Sequence, residues 1–175
     1  CEQYPESKSI GERLMPEIIP LGWFHTAMGI IALLSGAITL ARFKEISPAT
    51  RSGQVYLAAT LITAVTALGI FQHGGFGPAH GLAVMTLVAL AAGTVAATTT
   101  LFGKLSRYVQ AVSYSATLLF HGIPAVTDAL LRLPVGAPFL TSIEDPIMKM
   151  CHLGLLVLFL AGVSLQLRWI HRQPA

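Results

Sequence analysis

Long uninterrupted runs of apolar residues dominate the chain, and short stretches of glycine, proline and charged residues separate them. The five runs occupy residues 19–41, 54–72, 79–102, 108–131 and 147–167. A helix needs about 20 apolar residues to cross a bilayer. The runs do not alternate apolar and polar residues, as the strands of a membrane barrel would. The pattern predicts an all-α, integral membrane bundle of about five transmembrane helices over residues 19–172, preceded by an extramembrane tail at residues 1–18.

Composition supports a membrane location and argues against a soluble one. Hydrophobic residues make up 54% of the chain and charged residues only 11%, whereas about a quarter of a soluble domain is charged. The net charge of +3 does not indicate nucleic acid, because the basic residues are thinly spread at the ends of the runs. They form no basic patch interleaved with aromatic residues.

The distribution of basic residues predicts an orientation. They lie between the first and second runs, between the third and fourth, and after the fifth, as Arg42, Lys44, Arg51, Lys104, Arg107, Arg168 and Arg172. With five helices, all of these positions fall on one side, and positive residues prefer the cytoplasmic side. The chain is thus expected to be multi-pass in a bacterial inner membrane, with its N-terminus outside and its C-terminus in the cytoplasm.

Five of the six histidines fall at the outer end of this predicted bundle. They are His25, His73, His80, His121 and His152, whereas His171 follows the fifth run on the cytoplasmic side. Ionisable residues in membrane helices commonly face the bundle interior and mark function. Simpler roles stay open. His73 and His80 could be turn residues at the membrane boundary, and His25 could be an interfacial anchor. His121 and His152, which lie deeper, could make structural hydrogen bonds.

Haem b is the cofactor that best matches several neutral imidazoles at one depth. Its iron takes two axial nitrogens from facing helices, and apolar walls accept the porphyrin. His25, His121 and His152 have the most similar inferred depth and are the preferred iron ligands. The fourth run also presents a polar face that predicts either a cofactor pocket or proton path, or a satisfied interhelical seam. That face comprises Tyr114, Thr117, His121, Pro124 and Asp128.

A copper site is the rival hypothesis. Met148, Met150, Cys151 and His152 are consecutive or nearly so at the start of the fifth run, and thioether, thiolate and imidazole ligands suit Cu(I). Of these, only Met148 and His152 share a helix face, being four residues apart. Methionine also fills apolar cores without any other role.

Three short motifs carry a resemblance to a known family. They are GWFHTAMG at residues 22–29, LLSG at 33–36 and RSGQVY at 51–56. They resemble a family of small bacterial membrane proteins of unknown function, which is loosely similar to the transmembrane b-type cytochromes. The resemblance spans residues 22 to about 103 and carries over only His25 as a ligand. Thr50 or Arg51 stands where the family tends to have histidine, and the loop at residues 103–107 lacks the histidine often found there, so a cytoplasmic haem is not implied.

The combined expectation is a haem-b-binding electron-transfer subunit that passes electrons at the outer face to a quinone or a partner protein. It would work in a larger membrane complex. A copper-binding or transport protein, and a structural subunit without a cofactor, are the alternatives. The chain has no Walker loop, HExxH motif or nucleophile elbow, so the corresponding enzyme classes are not expected.

Overall fold

Five α-helices joined by short connections make up the computed structural model, which describes residues 19–71 and 75–173. They are α1 Pro20–Phe43, α2 Arg51–Leu68, α3 Pro78–Thr98, α4 Ser106–Arg132 and α5 Pro146–His171, with a 3-10 turn at Gly103–Leu105 before α4. The predicted all-α architecture is confirmed over the described residues, which contain no strand. The tail at residues 1–18 and His73 lie outside them.

Local signals explain where the helices begin and end. Proline occupies the first turn of α1, α3 and α5, where its missing N–H costs nothing. Thr50 caps α2 because its hydroxyl accepts the Gly53 N–H at 3.1 Å. Lys44 ends α1 in the left-handed region, with φ of 64°.

The helices pack in chain order, and α4 also contacts α1, so α4 is the most enclosed helix. The core between α1, α2, α3 and α4 comprises Ala32, Ile46, Tyr56, Ala59, Leu90 and Tyr114. Two of its rings rest on glycines of neighbouring helices. A Cβ on Gly36 would lie 2.8 Å from Tyr56 Cδ2, and one on Gly93 would lie 2.6 Å from Tyr114 Cδ1. Glycine therefore lets these helices approach closely.

Helix α2 presents large apolar side chains on the outside of the bundle, although it has threonines inside. Thr60 and Thr63 are buried, whereas Val55, Leu61 and Val65 are 49%, 49% and 54% exposed. A surface helix of a soluble protein would instead have polar residues at such exposed positions. Large apolar residues are also exposed along α1, α3 and α5.

Three of the described helices, α1, α3 and α5, are long and apolar enough to cross a membrane. Helices α2 and α4 fall short of that criterion, so the structure supports three of the five predicted spans. The shortfall has a physical reason, because α2 and α4 carry the polar side chains that meet inside the bundle, such as Thr60 and His121.

Candidate histidine site

Four histidines lie at one end of the bundle, here called the histidine end. It contains the start of α1, the α2–α3 connection, the end of α4 and the start of α5. His25, His80 and His152 lie near helix termini there, and His121 lies deeper in α4. The opposite end, here called the basic end, contains the α1–α2 and α3–α4 connections and His171, whose Nδ1 is 3.5 Å from the Tyr108 hydroxyl.

His25 is held by two hydrogen bonds from α1 to α2. Its Nδ1 lies 3.0 Å from the Thr63 carbonyl oxygen and 3.1 Å from the Thr66 hydroxyl. A carbonyl only accepts, and the Thr66 hydroxyl donates its own proton to the Ile62 carbonyl at 2.8 Å. Nδ1 must therefore carry the proton. In the neutral ring this leaves a lone pair on Nε2.

His121 approaches the same face of α2 from α4. Its Nε2 is 3.2 Å from the Thr60 hydroxyl. Thr60, Thr63 and Thr66 recur every three residues, so each is a neighbour of the next on the surface of the helix. The structure thus brings His25 and His121 together against adjacent turns of α2.

His152 lies on another side of α4. Its Nε2 is 3.0 Å from the Thr127 hydroxyl, which donates its proton to the Ile123 carbonyl. His152 therefore donates through Nε2. Thr127 is six residues beyond His121, which places it about 120° around the helix at 3.6 residues per turn. The three histidines that share an inferred depth consequently divide into a pair and a single residue.

Neither ring nitrogen of His80 has a free lone pair with which to bind a metal. Its Nδ1 accepts the Gly77 N–H at 3.1 Å, so Nε2 carries the proton in the neutral ring. The ring stacks on Phe76 and lies tilted against Phe71, with centroids 4.9 and 4.7 Å away. Nε2 is buried and has no hydrogen-bond partner among the described residues. His73, seven residues earlier in the sequence, is not among those residues.

The predicted polar face of α4 is buried over its first half only. Tyr114, Thr117 and His121 are buried, whereas Pro124 and Asp128 are exposed. The Tyr56 hydroxyl hydrogen-bonds to the Tyr114 carbonyl at 3.2 Å and to the Thr117 hydroxyl. These contacts form a satisfied interhelical seam, which was one of the two interpretations of this face.

The soft-ligand cluster at the start of α5 is dispersed. Met148 is 1% exposed, Met150 is 71% exposed, and Cys151 is half-buried. Within residues 19–71 and 75–173, no three His, Cys, Asp or Glu side chains are grouped to hold a metal ion. Copper therefore gains no support from the arrangement.

An ion pair ties the α1–α2 connection to the start of α4 at the basic end. Arg107 donates to both carboxylate oxygens of Glu45, at 3.0 and 2.9 Å. Its guanidinium also lies 5.2 Å from the centroid of Trp169 on α5. The hydrogen-bonded Glu45 raises the pKa of Arg107 above its usual range. Glu45, Arg107 and Trp169 thus connect the α1–α2 connection, the start of α4 and the end of α5.

Sequence reasoning missed the partners of the histidines. A signal for them was present, because three threonines spaced three residues apart within an apolar run indicate a polar stripe turned toward other helices. Thr127 had no comparable signal. Its pairing with His152 depends on how α5 is rotated against α4.

No family model, no curated protein and no solved structure matches the chain.

Proposed function

We propose that the chain is a five-span membrane protein with the histidine end outside and the basic end in the cytoplasm of a bacterial inner membrane. The large apolar residues exposed along α2 support its placement in lipid. Among the described residues, the basic end holds Arg42, Lys44, Arg51, Lys104, Arg107, Arg168 and Arg172 against the single carboxylate of Glu45. This asymmetry favours the cytoplasmic side.

Reporter fusions test this topology. Fusions after Pro48, in the α1–α2 connection, and after Gln173 should be active only with a cytoplasmic reporter. Fusions after Gly136, in the α4–α5 connection, should be active only with an outer-side reporter. If α2 does not span, the reporters after Pro48 and after Gly75 will lie on the same side, and the five-span proposal is wrong.

We further propose that the histidine end binds haem b and that the chain is an electron-transfer subunit of a membrane complex. The observation that carries this proposal is the tautomer of His25. Histidines that bind metals usually donate their other ring N–H to a carbonyl or a similar acceptor. The Nδ1–H bonds of His25 to Thr63 and Thr66 match this arrangement and keep Nε2 available.

The packing restricts where a porphyrin could lie. A Cβ on Gly29, one turn after His25, would already contact the Thr63 methyl group at 3.7 Å, so α1 and α2 leave no room between them. The porphyrin would have to approach from the α4 side. There His121 is the candidate second ligand, once its ring turns from Thr60 or binds through Nδ1. Bound haem would supply one-electron transfer, to a quinone or a partner protein.

Absorption spectra of the detergent-purified protein, oxidised and dithionite-reduced, test haem binding. Soret and α bands are expected, and His25→Ala and His121→Ala should each lose them. His152→Ala is the matched control, because this histidine also bonds a threonine at the same end but lies on another side of α4. Unaltered spectra in His25→Ala, or a colourless wild-type protein, would rule out the proposal.

A structural subunit without a cofactor is the second candidate function. It is favoured by the hydrogen bonds that join His25, His121 and His152 to threonines of neighbouring helices, because these bonds already give each ring a packing role. A colourless protein that co-purifies in a stoichiometric membrane complex would support it. Stoichiometric copper in a colourless protein would instead favour the copper hypothesis.

A further inference from the structure

A groove runs along the outside of the bundle in its basic half. Its floor is α4 and its walls are α1 and α5, with Leu40, Leu118, Leu155, Phe159, Gly162 and Trp169 as its main lining. Its volume is about 410 Å³, within the range of sites that hold small molecules. None of the described histidines lines it, so it is separate from the proposed haem site.

The dimensions of the groove suit one hydrocarbon chain. Leu155 and Trp169 are about 21 Å apart along α5 at 1.5 Å per residue, which exceeds one leaflet of a bilayer core about 30 Å thick. The groove is therefore long enough for an extended acyl chain.

The polar groups along the groove already satisfy one another. Ser115 donates to the side-chain oxygen Oε1 of Gln166 at 3.0 Å, and the side-chain Nε2 of Gln166 donates to the backbone carbonyl of Lys44 at 2.9 Å. An occupant therefore needs no hydrogen-bonding groups along its length. This requirement favours an acyl chain over a polar ligand.

The mouth of the groove carries positive charge. Lys44 is exposed and lines the groove, and its ammonium donates to the Ala41 carbonyl at 3.1 Å, which uses one of its three protons. The nearest carboxylate in this end of the described chain, Glu45, is engaged by Arg107. Basic pockets at the cytoplasmic side of helix bundles attract anionic headgroups.

We propose that this groove binds one anionic phospholipid of the cytoplasmic leaflet, with an acyl chain along α5 and the phosphate at Lys44. The proposal rests on the membrane placement given above and does not depend on haem. Two contacts contribute to the affinity for the lipid. The apolar walls bind the acyl chain, and Lys44 selects the charged headgroup.

Native mass spectrometry of the full chain in mild detergent tests the proposal with phosphatidylglycerol and phosphatidylcholine of identical acyl chains. One phosphatidylglycerol should remain bound, in preference to phosphatidylcholine. Lys44→Gln should reduce that preference about fivefold, the value of one basic residue near an anionic headgroup. Lys104→Gln, at the same end but outside the groove, is the matched control.

A second pair of variants tests the groove itself. A Cβ on Gly162 or on Gly154 meets no atom within 4 Å, so a side chain can leave the helix at both positions of α5 without a clash at Cβ. Only Gly162 lines the groove, so Gly162→Leu should lose most of the bound lipid while Gly154→Leu keeps it. Equal binding of the two lipids, or equal binding by the two leucine variants, would overturn the proposal. Neither variant should alter a haem spectrum, which keeps the two proposals distinguishable.

Discussion

The ring of Tyr114 on α4 lies directly against Gly93 on α3, so closely that no Cβ fits between the helices. The Tyr114 hydroxyl also reaches back to the Thr94 hydroxyl at 3.2 Å. A large ring and a missing side chain thus set the distance between two helices. The same device recurs where Tyr56 on α2 meets Gly36 on α1.

Gly93→Ala should destabilise the bundle by about 1–3 kcal/mol, the usual cost of overpacking a filled core. The added methyl group would meet the Tyr114 ring, which is buried and cannot move aside. Thermal unfolding in detergent measures the effect. Gly81→Ala, in the same helix, is the control, because its Cβ would meet no atom within 4 Å. Similar losses in both variants would contradict the assigned contact.

The Tyr56 hydroxyl should contribute to stability apart from its ring. Tyr56→Phe keeps the ring against Gly36 but removes the bonds to the Tyr114 carbonyl and the Thr117 hydroxyl. A loss of about 0.5–1.5 kcal/mol is expected, the net value of a hydrogen bond, because the Thr117 hydroxyl still donates to the Tyr114 carbonyl at 2.7 Å. Tyr108→Phe, at the exposed contact with His171, should be close to neutral. Denaturant or thermal unfolding of both variants would show whether the buried hydroxyl matters.

The His152–Thr127 bond should couple α4 to α5. A double-mutant cycle with His152→Ala and Thr127→Val is expected to give a coupling of about 0.6 kcal/mol, typical of interhelical hydrogen bonds in membranes. The same cycle between His152 and Thr60 is the control, since Thr60 bonds His121 instead. Equal coupling energies in the two cycles would show that the coupling between His152 and Thr127 does not come from their hydrogen bond.

Much of the fold could be predicted from the apolar runs, because burial of a helix backbone in lipid requires long uninterrupted apolar segments. Each predicted run corresponds to one observed helix. The boundaries differ by a few residues where local chemistry decides them. Thr50 starts α2 at Arg51 rather than near residue 54 by capping Gly53, and α2 ends at Leu68, before the predicted residue 72.

The arrangement of the candidate site was less predictable. Depth along a helix follows from residue number, so His25, His121 and His152 could be assigned to one end. Which of them meet depends on how each helix is rotated about its axis and on which neighbours it contacts. Gly36 and Gly93 help to set those rotations because they pack against tyrosines that are distant in the sequence. The residues around the histidines therefore do not predict how the helices are rotated.

The Glu45–Arg107 pair should anchor the basic end through geometry as well as charge. Arg107→Lys keeps the charge but loses the two-pronged contact with Glu45, at 3.0 and 2.9 Å, and the contact with the Trp169 ring. A lysine ammonium is a point charge and cannot reproduce either contact.

We expect Arg107→Lys to lower the unfolding free energy by about 0.5–1 kcal/mol, since the Arg107 side chain is partly exposed and solvent screens the pair. The difference from wild type should shrink in high salt. The measurement is thermal unfolding at low and high ionic strength. Lys149→Gln is the control, because its contact with Glu144 is longer, at 3.7 Å, and both side chains are largely exposed. An Arg107→Lys variant as stable as wild type at low salt would show that the pair does not anchor this end.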